Sequence, residues 1–227
     1  AINSSFAPAL TNLGNLELNS GNKQDALSLL ITATESDPNL APAWGNLAKG
    51  YFQLGKIQDA EIACRKSIEL NPNLFNSHLL LGTILIGQKK LKEAEQPLRK
   101  IIELKPDFAD ALLNLGAVLK DLGQLKEAEI FIRKSIDLNS NLYNPHFVLG
   151  TILMEQNKLK EAEQPLRKTI ELKPDLADAH LNLGKILNDL GKLKEAELST
   201  RKAIELNPNY AEGHYNLGEI LKDLRNF

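Results

Sequence analysis

Gly82, Gly116, Gly150, Gly184 and Gly218 stand 34 residues apart. Ala60, Ala94, Ala128, Ala162 and Ala196 keep the same step, and Pro38, Pro72, Pro106, Pro174 and Pro208 fall on multiples of it. A chain built on this interval does not fold around one central core. Each unit is too short to bury its own apolar face, so units must stack on copies of themselves. Aligning on the glycines gives six full units, at 7–40, 41–74, 75–108, 109–142, 143–176 and 177–210. An extension precedes them at 1–6, and half a unit follows at 211–227.

The second unit shows what each copy encodes. Trp44, Leu47, Ala48, Tyr51 and Leu54 share one face at helical spacing. Gly55 follows, where a left-handed residue ends a helix at least cost. A second helix then turns Ile57, Ala60, Ala63, Cys64 and Ile68 inward, and Pro72 closes it because the residue before proline resists the α conformation. Pro42 sits in the first turn, where its missing N–H is not needed. The spacing therefore predicts a helical hairpin in every unit, about thirteen helices in all, and an all-α fold. Ser140 replaces the closing proline in the fourth unit, and Asn157 replaces the turn glycine in the fifth. Asn tolerates the left-handed region better than most residues, so that turn is expected to survive. Pro97 and Pro165 lie inside second helices, where a kink is expected unless the helix begins later than the pattern suggests.

The pattern Trp44-x-x-Leu47-Ala48-x-x-Tyr51, then Ala60, Cys64, Ser67 and Pro72, resembles the tetratricopeptide repeat. His146-x-x-Leu149-Gly150 and His180-x-x-Leu183-Gly184 carry the same signature, and the resemblance covers residues 7–227. It implies a right-handed superhelix of stacked hairpins, with the first helix of each lining the concave side.

Catalytic chemistry finds little footing in this sequence. His78, His146, His180 and His214 each occupy the position of Trp44, one per unit. Neighbouring helices lie about 8–10 Å apart, too far for the convergence a metal ion requires, so these residues read as half-buried packing groups. Cys64 falls in a core slot with no base to activate it. Glu61-Arg65-Glu69 and its counterparts in later units form a charged stripe of ion pairs, the mark of a solvated outer face. No phosphate loop, triad or zinc spacing occurs. The expected protein is not an enzyme and needs no cofactor or metal. A net charge of −2 gives no reason to expect nucleic acid. No apolar run reaches the ~18 residues of a membrane span, and a lone cysteine tilts the reading toward the cytoplasm.

One surface carries a functional argument. Asn12, Asn46, Asn114, Asn182 and Asn216 recur at one position of the first helices, with Leu80 and Val148 standing there in the third and fifth units. A side-chain amide both donates and accepts, so a row of them can hold the backbone of an extended peptide regardless of its side chains. The row resembles the asparagines lining the groove of the O-linked N-acetylglucosamine transferase repeats, which hold substrate or partner chains. That likeness also turns Leu79, Leu113, Phe147, Leu181 and Tyr215 toward the groove, and Lys49 and Lys185 add sparse positive charge. The competing structural role for the asparagines is bracing helix against helix between units. The lysines and arginine with which some tetratricopeptide proteins clamp a chaperone tail are missing, Thr11, Asn15, Asn46, Asn76 and Leu80 occupying those slots. The expected function is a non-catalytic scaffold that binds a protein or peptide. Two alternatives are a recruiting arm for an enzyme encoded beyond Phe227 and a homo-oligomer formed through Leu217, Leu221 and Leu224 of the unfinished unit.

Overall fold

A computed structural model describes residues 6–225. Among these residues there are thirteen α-helices and no strand. In chain order they are α1 (Ala7–Ser20), α2 (Lys23–Ser36), α3 (Ala41–Gln53), α4 (Ile57–Leu70), α5 (Phe75–Gly87), α6 (Leu91–Leu104), α7 (Ala109–Asp121), α8 (Leu125–Leu138), α9 (Tyr143–Glu155), α10 (Leu159–Leu172), α11 (Ala177–Asp189), α12 (Leu193–Leu206) and α13 (Ala211–Arg225). Their contacts divide the chain into two compact units, Ala1–Ala111 and Leu112–Phe227.

In the first unit, α1 pairs with α2, α3 with α4 and α5 with α6, and each hairpin packs on the next. The first helices also touch one another directly, α1 on α3 and α3 on α5. The second unit repeats this design: α9 pairs with α10, α11 with α12, and α11 packs on both α9 and α13. First helices therefore form a contiguous layer within each unit, and successive second helices stand further apart.

The recurring glycine of the first helix is explained by its hairpin partner sixteen residues later. A Cβ on Gly14 would stand 2.6 Å from Leu30 Cγ, one on Gly116 2.5 Å from Ile132 Cδ1, and one on Gly150 2.7 Å from Leu166 Cγ. These large side chains fill the space a glycine leaves, bringing the two helices close. Thr200 takes that slot in the sixth hairpin and puts its Oγ1 where a Gly184 Cβ would go. The second hairpin inverts the sizes: Ala48 has a Cβ, and the residue at the partner position is the smaller Cys64, both fully buried.

Each hairpin turn closes through a left-handed residue. Gly55 has φ +74°, with Lys56 N–H donating to Tyr51 O at 2.9 Å and Gly55 N–H to Phe52 O at 3.0 Å. This is the pair of bonds that caps a helix C-terminus. Asn157 adopts φ +59° and keeps the pair, through Lys158 to Leu153 O at 2.8 Å and Asn157 to Met154 O at 2.9 Å. The third hairpin holds a second departure, which the glycine pattern passes over: Lys89 occupies the same slot at φ +58°.

The four histidines have a structural task more specific than packing. Each Nε2 lies 2.8–2.9 Å from the carbonyl six residues earlier, His78 on Pro72, His146 on Ser140, His180 on Pro174 and His214 on Pro208. Trp44 Nε1 donates to Pro38 O in the same way at 2.8 Å. The partner is a carbonyl, so the imidazole nitrogen facing it must carry the proton. His78, His146 and His180 are buried, more deeply than the half-burial expected, while His214 is exposed. Burial pushes the His78 pKa below its ordinary value, so it holds this loop as a neutral ring. The loop also explains why Ser140 substitutes for proline without harm. The staple uses a main-chain carbonyl, and Asn139 Oδ1 accepts from Asn141 N–H at 3.1 Å, as Asn71 does from Asn73 N–H at 3.0 Å.

α6 and α10 run unbroken through Pro97 and Pro165, both buried. The outward faces of the second helices carry charge, and ion pairs join one hairpin to the next. Glu61 accepts from Arg65 Nη2 at 2.8 Å and from Lys90 Nζ of the following hairpin at 2.9 Å, while Arg65 also reaches Glu93. In the second unit Glu129 pairs with Arg133 and Lys158, and Glu163 with Arg167 and Lys192. Lys90 and Arg65 hold the Glu61 carboxyl below the usual range, against the opposing effect of burial.

Candidate functional site

The asparagine row sits on the first helices, and its members differ in setting. Asn12 on α1 is exposed; Asn46 on α3 is half-buried, as are Asn114, Asn182 and Asn216 on α7, α11 and α13. Asn46 Nδ2 lies 3.5 Å from Thr11 O on α1, the outer limit of a hydrogen bond. That amide leans toward the neighbouring first helix, the bracing role weighed against peptide binding. At the other end of the row, Asn216 Nδ2 is buried and without a hydrogen-bond partner among the described residues.

Beside the row, Leu79, Leu113 and Phe147 are half-buried. Leu181 is 1% exposed and contributes packing, whereas Tyr215 is 69% exposed. Neither lysine is free. Lys49 Nζ donates to Asn15 Oδ1 at 3.2 Å and Asn19 Oδ1 at 2.8 Å, both on α1, and Lys185 Nζ pairs with Glu212 Oε1 at 2.8 Å. The charge of these two lysines is thus committed to neighbouring first helices.

The two units differ in charge along this layer. In the first unit, α1, α3 and α5 carry only Glu17 and Lys49 as charged residues. In the second, the first helices carry Asp121, Glu155, Asp178, Asp189, Glu212, Glu219 and Asp223 against Lys120, Lys185, Lys222 and Arg225. Lys120 pairs with Asp121 at 3.0 Å and Glu155 at 3.5 Å. Burial works against its charge, but the two carboxylates outweigh it and hold Lys120 protonated above its ordinary range. Asp178 Oδ1 accepts from the Tyr210 hydroxyl at 2.6 Å.

A cleft of about 210 Å³ opens between α11 and α13, lined by Lys185, Asn188 and Asp189 on one side and Tyr215, Asn216, Glu219 and Ile220 on the other. Asn188, Asp189 and Glu219 are contacts the asparagine pattern alone does not single out. Helical spacing could have found the two carboxylates, because Asp189 follows Asn182 by seven residues and Glu219 follows Asn216 by three. A larger hollow, about 610 Å³, lies at the α7–α8 turn beside Gln156 and Lys158. Gln156 Nε2 already bridges there to Leu125 O at 3.1 Å.

Cys64 is buried. Burial, with Glu61 adding repulsion, pushes its thiol up to about 12, so it stays protonated and inert at neutral pH. No helix among the described residues is long and apolar enough to cross a membrane.

Known proteins place this architecture. A family model described as the Cilia and flagella-associated protein 70 C-terminal domain matches residues 3–181, and one described as a TPR repeat matches residues 184–224. No curated protein matches the chain. Among solved structures, YrrB, described as a TPR protein with an unusual peptide-binding site, is 24% identical, with a TM-score of 0.74 over 82% of this chain and 96% of its own. PilF from Pseudomonas aeruginosa is 22% identical, with a TM-score of 0.73 over 95% and 98%. MamA is 22% identical, with a TM-score of 0.70 over 76% and 94%. At these identities the three structures speak for the fold alone. Helical hairpins repeating every 34 residues, matched by family models over nearly the whole length, establish that the chain belongs to the tetratricopeptide-repeat family, in the group described by the Cilia and flagella-associated protein 70 C-terminal domain.

Proposed function

We propose that the chain is a non-catalytic scaffold that binds extended polypeptide along the layer of first helices within each unit. The observation that carries this reading is the recurrence of half-buried side-chain amides at one register, at Asn46, Asn114, Asn182 and Asn216. Apolar side chains stand at the preceding register, half-buried at Leu79, Leu113 and Phe147. Such amides meet the main-chain N–H and C=O of a strand whatever its side chains, so the site reads backbone first and side chains second. The peptide-binding site ascribed to YrrB supports the class of ligand.

The test is fluorescence anisotropy with a neutral labelled peptide alternating threonine and glutamine, about twelve residues and roughly 40 Å long when extended. Replacing Asn114→Ala and Asn182→Ala together should weaken binding about tenfold, two amide hydrogen bonds each contributing ~0.5–1.5 kcal/mol. An affinity unchanged by the double replacement would show that these amides serve packing instead.

A further inference from the structure

The cleft between α11 and α13 differs from every corresponding place in the first unit, and the difference is one of charge. Where α1 meets α3, the same register holds Asn15 and Asn19 facing Lys49, which bonds to both. Where α11 meets α13, it holds Lys185 and Asp189 facing Glu219. Lys185 is already taken by Glu212. Asp189 and Glu219 are exposed, and among the described residues neither has an ion-pair partner. Lys222, one turn beyond Glu219 on α13, forms no ion pair with it among those residues. Two carboxylates thus flank one cleft, and the cation that lines it, Lys185, is engaged by a third carboxylate, Glu212.

Two further observations concern what the cleft can hold. Asn188 Oδ1 and Asn216 Nδ2, both on residues lining it, are buried and unpartnered among the described residues, one an acceptor and the other a donor. Buried polar atoms left without partners are costly, and a peptide unit offers an N–H and a C=O to relieve both when the amides turn into the cleft. Tyr215 stands beside them 69% exposed. An open aromatic face next to carboxylates suits a cation, which gains from the ring as well as from the charges. The cleft lies on the 215, 216 and 219 stripe of α13, apart from the stripe of His214, Leu217 and Leu221.

We propose that this cleft receives a lysine- or arginine-bearing stretch of the extended polypeptide, its backbone held by Asn188 and Asn216 and its cationic side chain by Asp189, Glu219 and the Tyr215 ring. The proposal rests on the groove reading and narrows it. The chemistry demanded of the partner is basic at this end of the second unit, with no such demand in the first.

Three labelled peptides of equal length test it on the whole chain: threonine alternating with lysine, with glutamine, or with glutamate. The lysine peptide should bind best, the glutamate peptide worst, and added salt should weaken the lysine peptide selectively. Asp189→Asn with Glu219→Gln should reduce affinity for the lysine peptide about tenfold, up to about fivefold for each exposed pair. The glutamine peptide should be unaffected, which also shows that the variant is folded. Equal binding of lysine and glutamine peptides, or no loss in the double variant, overturns the cation preference and leaves the groove reading standing. Failure of all three peptides to bind overturns both.

Discussion

Single residues in this chain are best understood by the atom they must place. Indole and imidazole look unrelated in a sequence, yet Trp44 and the four histidines each bring a ring nitrogen to a carbonyl six residues back. The sequence showed these positions to be equivalent; the bond itself depends on loop geometry that no spacing reveals. Lys89 shows a different limit. A search keyed on glycine and asparagine finds Gly55, Gly123, Asn157 and Gly191 but passes over a lysine in the same left-handed slot. An L-residue with a Cβ is strained there by roughly 1–2 kcal/mol, and a Cβ placed on the equivalent Gly55 or Gly123 would meet nothing within 4 Å to make a side chain useful. Lys89→Gly should therefore stabilise the protein by about 1 kcal/mol in urea denaturation, and Asn157→Gly by less. A destabilising Lys89→Gly would mean that the lysine makes an interaction worth more than its backbone strain.

Elements pair by size, and this explains why the repeat keeps its small residues. In the first, fourth and fifth hairpins a glycine faces Leu30, Ile132 or Leu166; in the second, Ala48 faces the smaller Cys64 by the same sixteen-residue register. The hairpins were legible in the sequence for this reason, because close helix contact leaves a fixed spacing of small side chains. The open carboxylates of the α11–α13 cleft were not. Whether Asp189 and Glu219 are compensated depends on which neighbour Lys185 chooses, and only coordinates show that it chooses Glu212. The size rule makes a prediction in two steps. Cys64→Leu alone should overpack against Ala48 and cost ~1–3 kcal/mol. Adding Ala48→Gly should recover most of that loss and rebuild the glycine–leucine pair of the first and fifth hairpins. The cycle is measured by chemical denaturation of the four proteins, and additive effects would show that the two positions do not share one cavity.

At the scale of the whole molecule, stability is a sum of hairpins and the interfaces between neighbours, with no central core to make a distant lesion felt. Contacts in each unit run from one hairpin to the next, and the ion pairs follow the same rule, Glu61 with Lys90 and Glu163 with Lys192. Damage should therefore stay near its source. Gly150→Ala places a Cβ 2.7 Å from Leu166 Cγ, so α9 and α10 must separate or Leu166 must change rotamer. Hydrogen exchange should quicken in α9 and α10, extend in weaker form to α8 and α11, which pack directly on them, and leave α1 and α2 unchanged. Exchange that rose uniformly across all thirteen helices would instead mean that the hairpins open together. Under the proposed reading, local opening would let one stretch of first helices loosen around a ligand while its neighbours keep their register, so a Gly150→Ala variant should lose peptide affinity only for contacts near α9 and α10.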